Sequence, residues 1–465
     1  MRQTYDTVDY DWLTKPTGDP FVDAGGYALE EFSQHFPDLD ILQLIDKAAD
    51  IYVDTWSCKI NAFFLNSPIT QPAFIGNQKK VENNKYFSNV LANKYTPDTL
   101  AKIGECRITG RKTYVFPCGR HNSVLSGSTA FINFHHGFQN GLMVSKEILI
   151  RYFFLPLACE QLQGQIGLIS SSNPEIATFF SKRNCRMNLD YIGKHLSNAV
   201  LKARTSSSGT TLFRFADSII RERKSEFDDM DSTLTLYNFT NFGASPSLTI
   251  YELPFQVLKF YNYVIKEKHR AEWTNFVKRY YKDRKATFDE ASDKFLIKDK
   301  GKTLEVGQDE YQYWYNVIYD SLMQDKSILG YLVNFCREHD FDFSIVRMYS
   351  INIRNMKKET IDKIEQMADF IISSNDEVGI GKAIRKLDAV ASSYDLRRFI
   401  LKDIVAKYYE EGNEDTIVTV NDYAEYLFPD TNSWRETRDV LIIALYERLH
   451  KLHKQINIES DTTND

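Results

Sequence analysis

The chain has 465 residues, of which 43% are hydrophobic and 26% charged, so two or three globular units are expected and collagenous or disordered classes are excluded. Its 57 Lys and Arg against 63 Asp and Glu give a net charge of −6, a balance that by itself argues against nucleic acid, whose binding is driven by cations on phosphate. The acidity is concentrated: residues 356–465 hold 15 Lys and Arg against 22 Asp and Glu, which leaves the first 355 residues nearly neutral and able to carry a local basic groove. No run of about 18 apolar residues occurs, and the start MRQTYDTVDYDW lacks the basic and apolar segments of a signal peptide, so a cytoplasmic protein without membrane contact is expected. Six cysteines, at 58, 106, 118, 159, 185 and 336, are too sparse for a disulfide framework and read as reduced thiols.

In chain order, residues 1–252 read as a mixed α+β domain. Ile41–Val53 and Ser145–Gln163 have the apolar spacing of amphipathic helices, with Pro156 expected to kink or split the second. Lys112–Phe116, Thr129–Phe134, Gln165–Ile169 and Leu234–Phe239 are β-branched and aromatic runs between turn residues, hence strands. Residues 253–355 read as a helical connecting region built on VLKFYNYVIKEKHRAEWTNFVKRYYKD and DEYQYWYNVIYDSLMQ, with KDKGK between them as a solvated turn rather than an element.

Residues 356–465 read as a helical bundle able to fold alone. Ile361, Ile364, Ala368 and Ile371 share a face, and Tyr394–Glu411 stops before Gly412. Thr419 with Asp422 and Ser433 with Glu436 resemble N-caps, and Leu441, Leu445, Leu449 and Leu452 form a stripe before the frayed end ESDTTND. The fold class expected is α+β: a mixed N-terminal domain, a mainly helical region and a C-terminal bundle.

Catalytic motifs are not evident, and no enzyme is expected. There is no GxxxxGK[ST] loop, and GIGKAIRK (379–386) reads as a helix start. Glu338, His339 and Asp340 read as a surface loop. Glu447, His450 and His453 have the wrong spacing for a zincin and read as a solvated face, while His135 and His136 point to opposite sides of a strand. No Gly-x-Ser-x-Gly elbow occurs. Cys106, Cys118 and His121 supply three of the four ligands a structural zinc takes, with Cys58, Cys159 or Cys185 as the fourth; the alternative is a hairpin with Gly110 and Gly119 at turns.

Three stretches together resemble one family. LTKPTGDPFVDAGGYALEEF (Leu13–Phe32) is similar to the TGxPFVDxG signature of the Cst-type large subunits of type I-B CRISPR surveillance (Cascade) complexes. Physically, Gly18 and Pro20 make a turn, Phe21 and Val22 an apolar anchor, and Asp23 a cap for a helix after Gly25-Gly26. CRITGRKTYVFPCGRHNSVLSGSTAFINFHHGFQNG resembles that family's middle region, and TLYNFTNFGASPSLTIYELP (Thr235–Pro254) its strand, Asn-x-Gly turn and closing Leu-Pro.

The resemblance implies a non-catalytic subunit that recognises a short flanking motif in double-stranded target DNA and helps to open it, while guide RNA reads the rest. Its partners would be the crRNA-bearing Cascade subunits, the displaced single strand and a recruited helicase-nuclease, with no cofactor beyond the zinc alternative. It also implies a small subunit made separately from the bundle, with Met356 at the bundle's start as the expected internal start and Met348 and Met367 as competing starts. Side chains that reach phosphate and base edges are then expected in two loops. One is GNQKKVENNKYFSN (76–89), with Asn77, Lys79, Lys80, Asn83, Asn84 and Lys85; the other is the hairpin bearing Arg107, Arg111, Lys112, Arg120 and Asn122. Arg397 and Arg398, with Lys402, are expected along the displaced strand. SSSGTT (206–211) would offer N–H groups to phosphate or serve as a linker, and Tyr280, Tyr281, Tyr311, Tyr313 and Tyr315 would stack on bases or pack in the core. A related type I-A or transposon-associated large subunit, a metal-dependent nuclease and an RNA-binding scaffold stay open as alternatives.

Overall fold

The computed structural model describes residues 1–125, 141–222, 232–240, 247–299, 302–430 and 432–454, without the side chains of 57–59. The expectations at Thr129–Phe134, His135, His136, the Asn241–Gly243 turn and the ESDTTND end, and any ligand role of Cys58, lie outside the described residues. The fold is α+β, and the chain divides into two compact units, Met1–Phe255 with Tyr313–Tyr315, and Gln256–Gln312 with Asn316–Asp465.

Unit 1 opens with α1 (Pro20–His35), α2 (Ile41–Asp50) and α3 (Asn77–Leu91), followed by β1 (Lys94–Thr96), β2 (Thr99–Leu100), β3 (Lys102–Glu105), β4 (Lys112–Cys118) and β5 (Leu142–Ser145). It continues through α4 (Lys146–Ala158), β6 (Glu160–Leu162), β7 (Gln165–Ser171), α5 (Pro174–Gly193), α6 (Ser208–Glu222), β8 (Leu234–Thr240) and β9 (Ser247–Leu253). Two antiparallel sheets, β3-β4-β5 and β6-β7-β8-β9, flank a core in which α1, α4 and α5 pack on one another. The central helix is α4, buried from Lys146 to Ala158. Pro156 falls in its last turn, so the helix ends at Ala158 and the chain enters β6 instead of continuing to Gln163.

The start of α1 corrects the expected role of Asp23. Asp19 is the cap, accepting from the N–H of Phe21 and Val22, with Pro20 at the first helical position and Gly18 at φ +87° before it. Asp23 lies inside the helix and takes the Nη2 of Arg151, itself wholly buried, at 2.6 Å. Arg151 also donates to the carbonyls of Val22, Trp12 and Lys15, and Asp23 also accepts from Thr17 and Gly18. Gly25 and Gly26 are helix-weakening residues whose absence of a side chain is required: a Cβ on Gly25 would lie 2.0 Å from the Arg151 carbonyl oxygen, and one on Gly26 2.7 Å from Arg151 Nε.

Of residues 76–89, expected as a loop, all but Gly76 lie in α3. A buried face of Asn83, Phe87, Val90 and Leu91 has helical spacing, but the asparagine opening it disguises the pattern. Cys106–Arg111 closes the expected hairpin, with Gly110 at φ +68° and Glu105 paired with Lys112.

Unit 2 contains α7 (Phe255–Val264), whose first residue belongs to unit 1, then α8 (Glu267–Lys278), β10 (Tyr281–Lys282), β11 (Ala286–Asp289), β12 (Lys294–Asp299) and β13 (Lys302–Val306). There follow α9 (Gln308–Tyr311), β14 (Tyr315–Asn316), whose first residue belongs to unit 1, α10 (Val317–Met323), α11 (Leu329–Cys336), α12 (Phe343–Asn352) and α13 (Lys358–Ser373). The last elements are α14 (Glu377–Asp388), α15 (Ser393–Phe399), α16 (Ala406–Glu410) and α17 (Trp434–Lys451).

KDKGK is not simply a solvated turn. Its flanks are the paired strands β12 and β13, whose register runs from Phe295–Val306 to Asp299–Lys302. DEYQYWYNVIYDSLMQ is not one helix either, because Asn316 accepts from Ile318 N and Tyr319 N and so begins α10 afresh.

In the last segment α17 is buried nearly all round and packs on α11 and α12 as well as on α13, α14 and α15, so residues before 356 share its core. Tyr394–Glu411 is α15, a π-helical turn (Ile400–Val405) and α16, stopped by Gly412 at φ +84°. Thr419 and Asp422 bond reciprocally as expected of a capping box, whereas Ser433 caps nothing and its own N–H is taken by Asp430. Glu447 is not on a solvated face: it is buried, paired with Lys451 and Arg448, while His450 Nε2 meets the Cys336 carbonyl at 2.8 Å. Leu452 falls beyond α17 and is exposed.

Gly25→Ala is expected to destabilise the protein by about 3 kcal/mol, because backbone cannot rotate away from the new methyl, and Arg151→Ala by about 3–5 kcal/mol through the carboxylate it strands. Urea unfolding measures both, and a loss under about 1 kcal/mol would contradict this packing. Burial pushes the Glu160 carboxyl up to about 7 despite nearby Arg183, and its Oε1 has no partner. As pH rises the unfolded chain ionises first, so this group withdraws stability between about 4.5 and 7. Glu160→Gln is therefore expected to raise Tm more at pH 8 than at pH 5; equal gains would contradict the shift.

Candidate nucleic-acid interface

The β3–β4 hairpin is ordered by a local circuit. Gly110 N donates to the Cys106 carbonyl at 2.7 Å, Cys106 N to Arg111 at 2.9 Å, and Arg107 N to Met143 of β5 at 2.9 Å. The chain leaving β4 is fixed by Asn122, which is buried: its Oδ1 accepts from Gly119 N at 2.9 Å, and its Nδ2 donates to the Pro117 carbonyl and to Tyr86 Oη of α3 at 2.9 Å. That last bond joins the two segments chosen from sequence. Between them lies a groove of about 500 Å³, lined by Tyr86, Tyr95, Lys94, Lys102, Phe116 and His121 among others.

The individual candidates divide into those committed to the protein and those that face outward. Lys80 bonds Asp50 at 3.0 Å and Asp54 at 2.8 Å, Asn84 bonds Asp46 at 2.7 Å, and Lys85 bonds Glu82 at 2.7 Å. Asn83 is buried, with its Nδ2 lacking a hydrogen-bond partner. Asn77 is exposed and Lys79 half-buried in the first turn of α3. Arg111 is paired with Asp9 and lies over the Trp12 ring at 4.7 Å. Arg120 is half-buried and its carbonyl accepts from Leu65 N. Arg107 and Lys112 are exposed on the hairpin.

Lys94 and Lys102 were not chosen from sequence, yet both line the groove. The available signal was the Pro97-Asp98 turn between them, which the β1–β2 pair closes with Thr96 opposite Thr99. Lys94 Nζ reaches the Pro97 carbonyl at 2.9 Å, and Tyr95 Oη donates to Val115 and accepts from Lys102 N.

Among the described residues no group of three or more His, Cys, Asp or Glu side chains is placed to hold a metal ion, so Cys106, Cys118 and His121 do not gather as a zinc set. Both thiols are buried, that of Cys118 pushed up to about 12 by burial, and burial lowers the pKa of His121. His339 follows α11 with Glu338 and Asp340 exposed beside it, a surface turn.

SSSGTT forms the start of α6, where Ser207 Oγ accepts from Thr210 N and Ser206 N donates to the Tyr313 carbonyl, so these N–H groups are already used. Arg204 and Arg214 lie over the Tyr313 ring at 4.2 and 5.4 Å. Tyr281 and Tyr311 are buried, Tyr280 Oη donates to the Tyr331 carbonyl, and Tyr315 is exposed. In unit 2, Arg397 lies over Phe428 at 4.9 Å, while Arg398 and Lys402 are exposed.

No helix among the described residues is long and apolar enough to cross a membrane. No protein-family model, curated protein or solved structure matches the chain. Asn122→Ala is expected to cost about 2–3 kcal/mol in urea unfolding, since it removes three bonds and strands the Gly119 N–H. Unchanged stability would contradict a positioning role for Asn122.

Proposed function

We propose that this chain is the non-catalytic large subunit of a type I-B-like CRISPR surveillance complex, acting in the cytoplasm on double-stranded DNA. It recognises a short flanking motif, helps to open the duplex, holds the displaced strand and supports recruitment of a helicase-nuclease, while crRNA carried by other subunits reads the target. The observation that carries this proposal is the groove. Two segments singled out for Lys, Arg and Asn flank it, Lys94 and Lys102 line it, and Arg107 and Lys112 are exposed on the adjoining hairpin. Cations of this kind grip phosphate and fix register, and in this reading side chains within the groove test base edges.

The TGDPFVDAGG signature supports the family assignment without touching a ligand, because its residues hold Arg151 and the α1–α4 crossing. Met356 lies in the connection between α12 and α13, where an internal start would release residues 356–465 as a small subunit. Such a product would expose the face of α17 that α11 and α12 cover here, so it would require neighbouring subunits to hold it. Arg398 and Lys402, with Arg397 beside them, are the bundle's candidates for the displaced strand.

The assembled complex bearing Arg107→Ala and Lys112→Ala is expected to bind motif-containing duplex more weakly, with the slope of log affinity against log salt reduced by about 2. An unchanged slope would remove the hairpin from the interface. Met356→Leu is expected to abolish a co-purifying 356–465 polypeptide; a polypeptide that persists unchanged would refute that start.

A further inference from the structure

We propose that unit 2 contains a binding site for a compact phosphate-bearing anion, in a pocket of about 320 Å³ between α13, α14 and the α15–α16 segment. Its floor is apolar, with Ile371 and Phe399 buried. Its walls carry four cations: Lys382, Arg385 and Lys386 from α14, and Lys407 from α16. The only carboxylate among the lining residues, Asp403, is taken by Lys386 at 2.6 Å. Among the described residues Lys382, Arg385 and Lys407 have no carboxylate partner.

That arrangement lies in an acidic segment. Residues 356–465 carry a net charge of −7, and elsewhere in unit 2 Arg347, Arg354, Lys363 and Arg448 are each tied to a carboxylate. Four cations around one pocket that holds a single carboxylate repel one another, and an anion between them removes that repulsion. The GIGKAIRK string, set aside as a nucleotide loop, supplies Gly379, Lys382, Arg385 and Lys386 to this pocket. Gly379 leaves room there, since a Cβ would lie 2.9 Å from Asn375 Oδ1. Phe399, Asp403 and Lys407 reach the pocket at four-residue spacing across the π-helical turn Ile400–Val405, whose wider winding keeps that spacing closer to one face than 3.6 residues per turn would.

Three unpaired cations around an apolar floor suit linked phosphates, which come either as a free polyphosphate or as the backbone of a single strand. The test titrates the full chain, by calorimetry, with pyrophosphate and separately with a thymidine oligonucleotide. Two variants of equal charge change are compared: Lys382→Glu with Lys407→Glu in the pocket, and Lys357→Glu with Lys358→Glu at the exposed start of α13, outside it. All four lysines are exposed, so both variants are expected to fold.

Saturable binding of pyrophosphate that the pocket variant weakens about tenfold or more, and the α13 variant leaves within about twofold, supports the site with a free phosphoanion as ligand. The same pattern with the oligonucleotide alone supports the site with strand phosphate as ligand. Binding of neither probe, or equal weakening by both variants, overturns it. No other subunit is needed, so this outcome is separate from that of the DNA-interface proposal.

Discussion

One buried guanidinium organises the first unit. Arg151 sits on the central helix α4 with its side chain wholly withdrawn from water, and it is held by the Asp23 carboxylate and the carbonyls of Val22, Trp12 and Lys15. An uncompensated charge there would cost several kcal/mol, so the surrounding chain has little freedom to be anything else. Asp19, not Asp23, has to cap α1, and Gly25 and Gly26 have to be glycine where α1 crosses the Arg151 backbone and side chain.

The constraint reaches the candidate interface through the N-terminal segment. Arg151 fixes residues 12–15, and Lys146 and Glu147, in the first turn of the same helix, bond the Thr7 carbonyl and Asp9 N–H. Asp9 then pairs with Arg111 while Trp12 lies under the same guanidinium. Arg111, expected on DNA, is thereby the anchor that holds the hairpin, and its neighbours Arg107 and Lys112 are the exposed cations. Asn122 does the corresponding work on the α3 side through Tyr86.

Local patterns were legible in the sequence where they were complete within a few residues. Strands β4, β7 and β8 follow from β-branched and aromatic runs, and Gly110 and Gly412 stand where their positive φ is needed. What was not legible depended on distant partners. Nothing near Asp23 announces a counter-ion 128 residues away, and Asn83 looked like a loop residue because burial on a helix face is set by what covers it. Likewise α17 carries apolar residues on several faces because helices from before and after 356 surround it, which no single stripe conveys. The groove itself was half legible: its flanking segments were chosen for charge, while Lys94 and Lys102 came to it only through the β1–β2 turn.

The charge pattern makes the proposed division of labour physically coherent. Unit 1 is free of the acidity concentrated after residue 356, so a cationic rim can attract phosphate there, whereas in unit 2 cations such as Arg347, Arg354 and Arg448 are held in internal pairs. The most direct measurement is purification of the tagged full-length chain from cells that carry its gene, followed by mass spectrometry and RNA sequencing of what elutes in fixed proportion. A large subunit elutes with repeated backbone proteins and short guide RNAs of common repeat sequence. A chain that elutes without RNA and without those subunits contradicts the central claim.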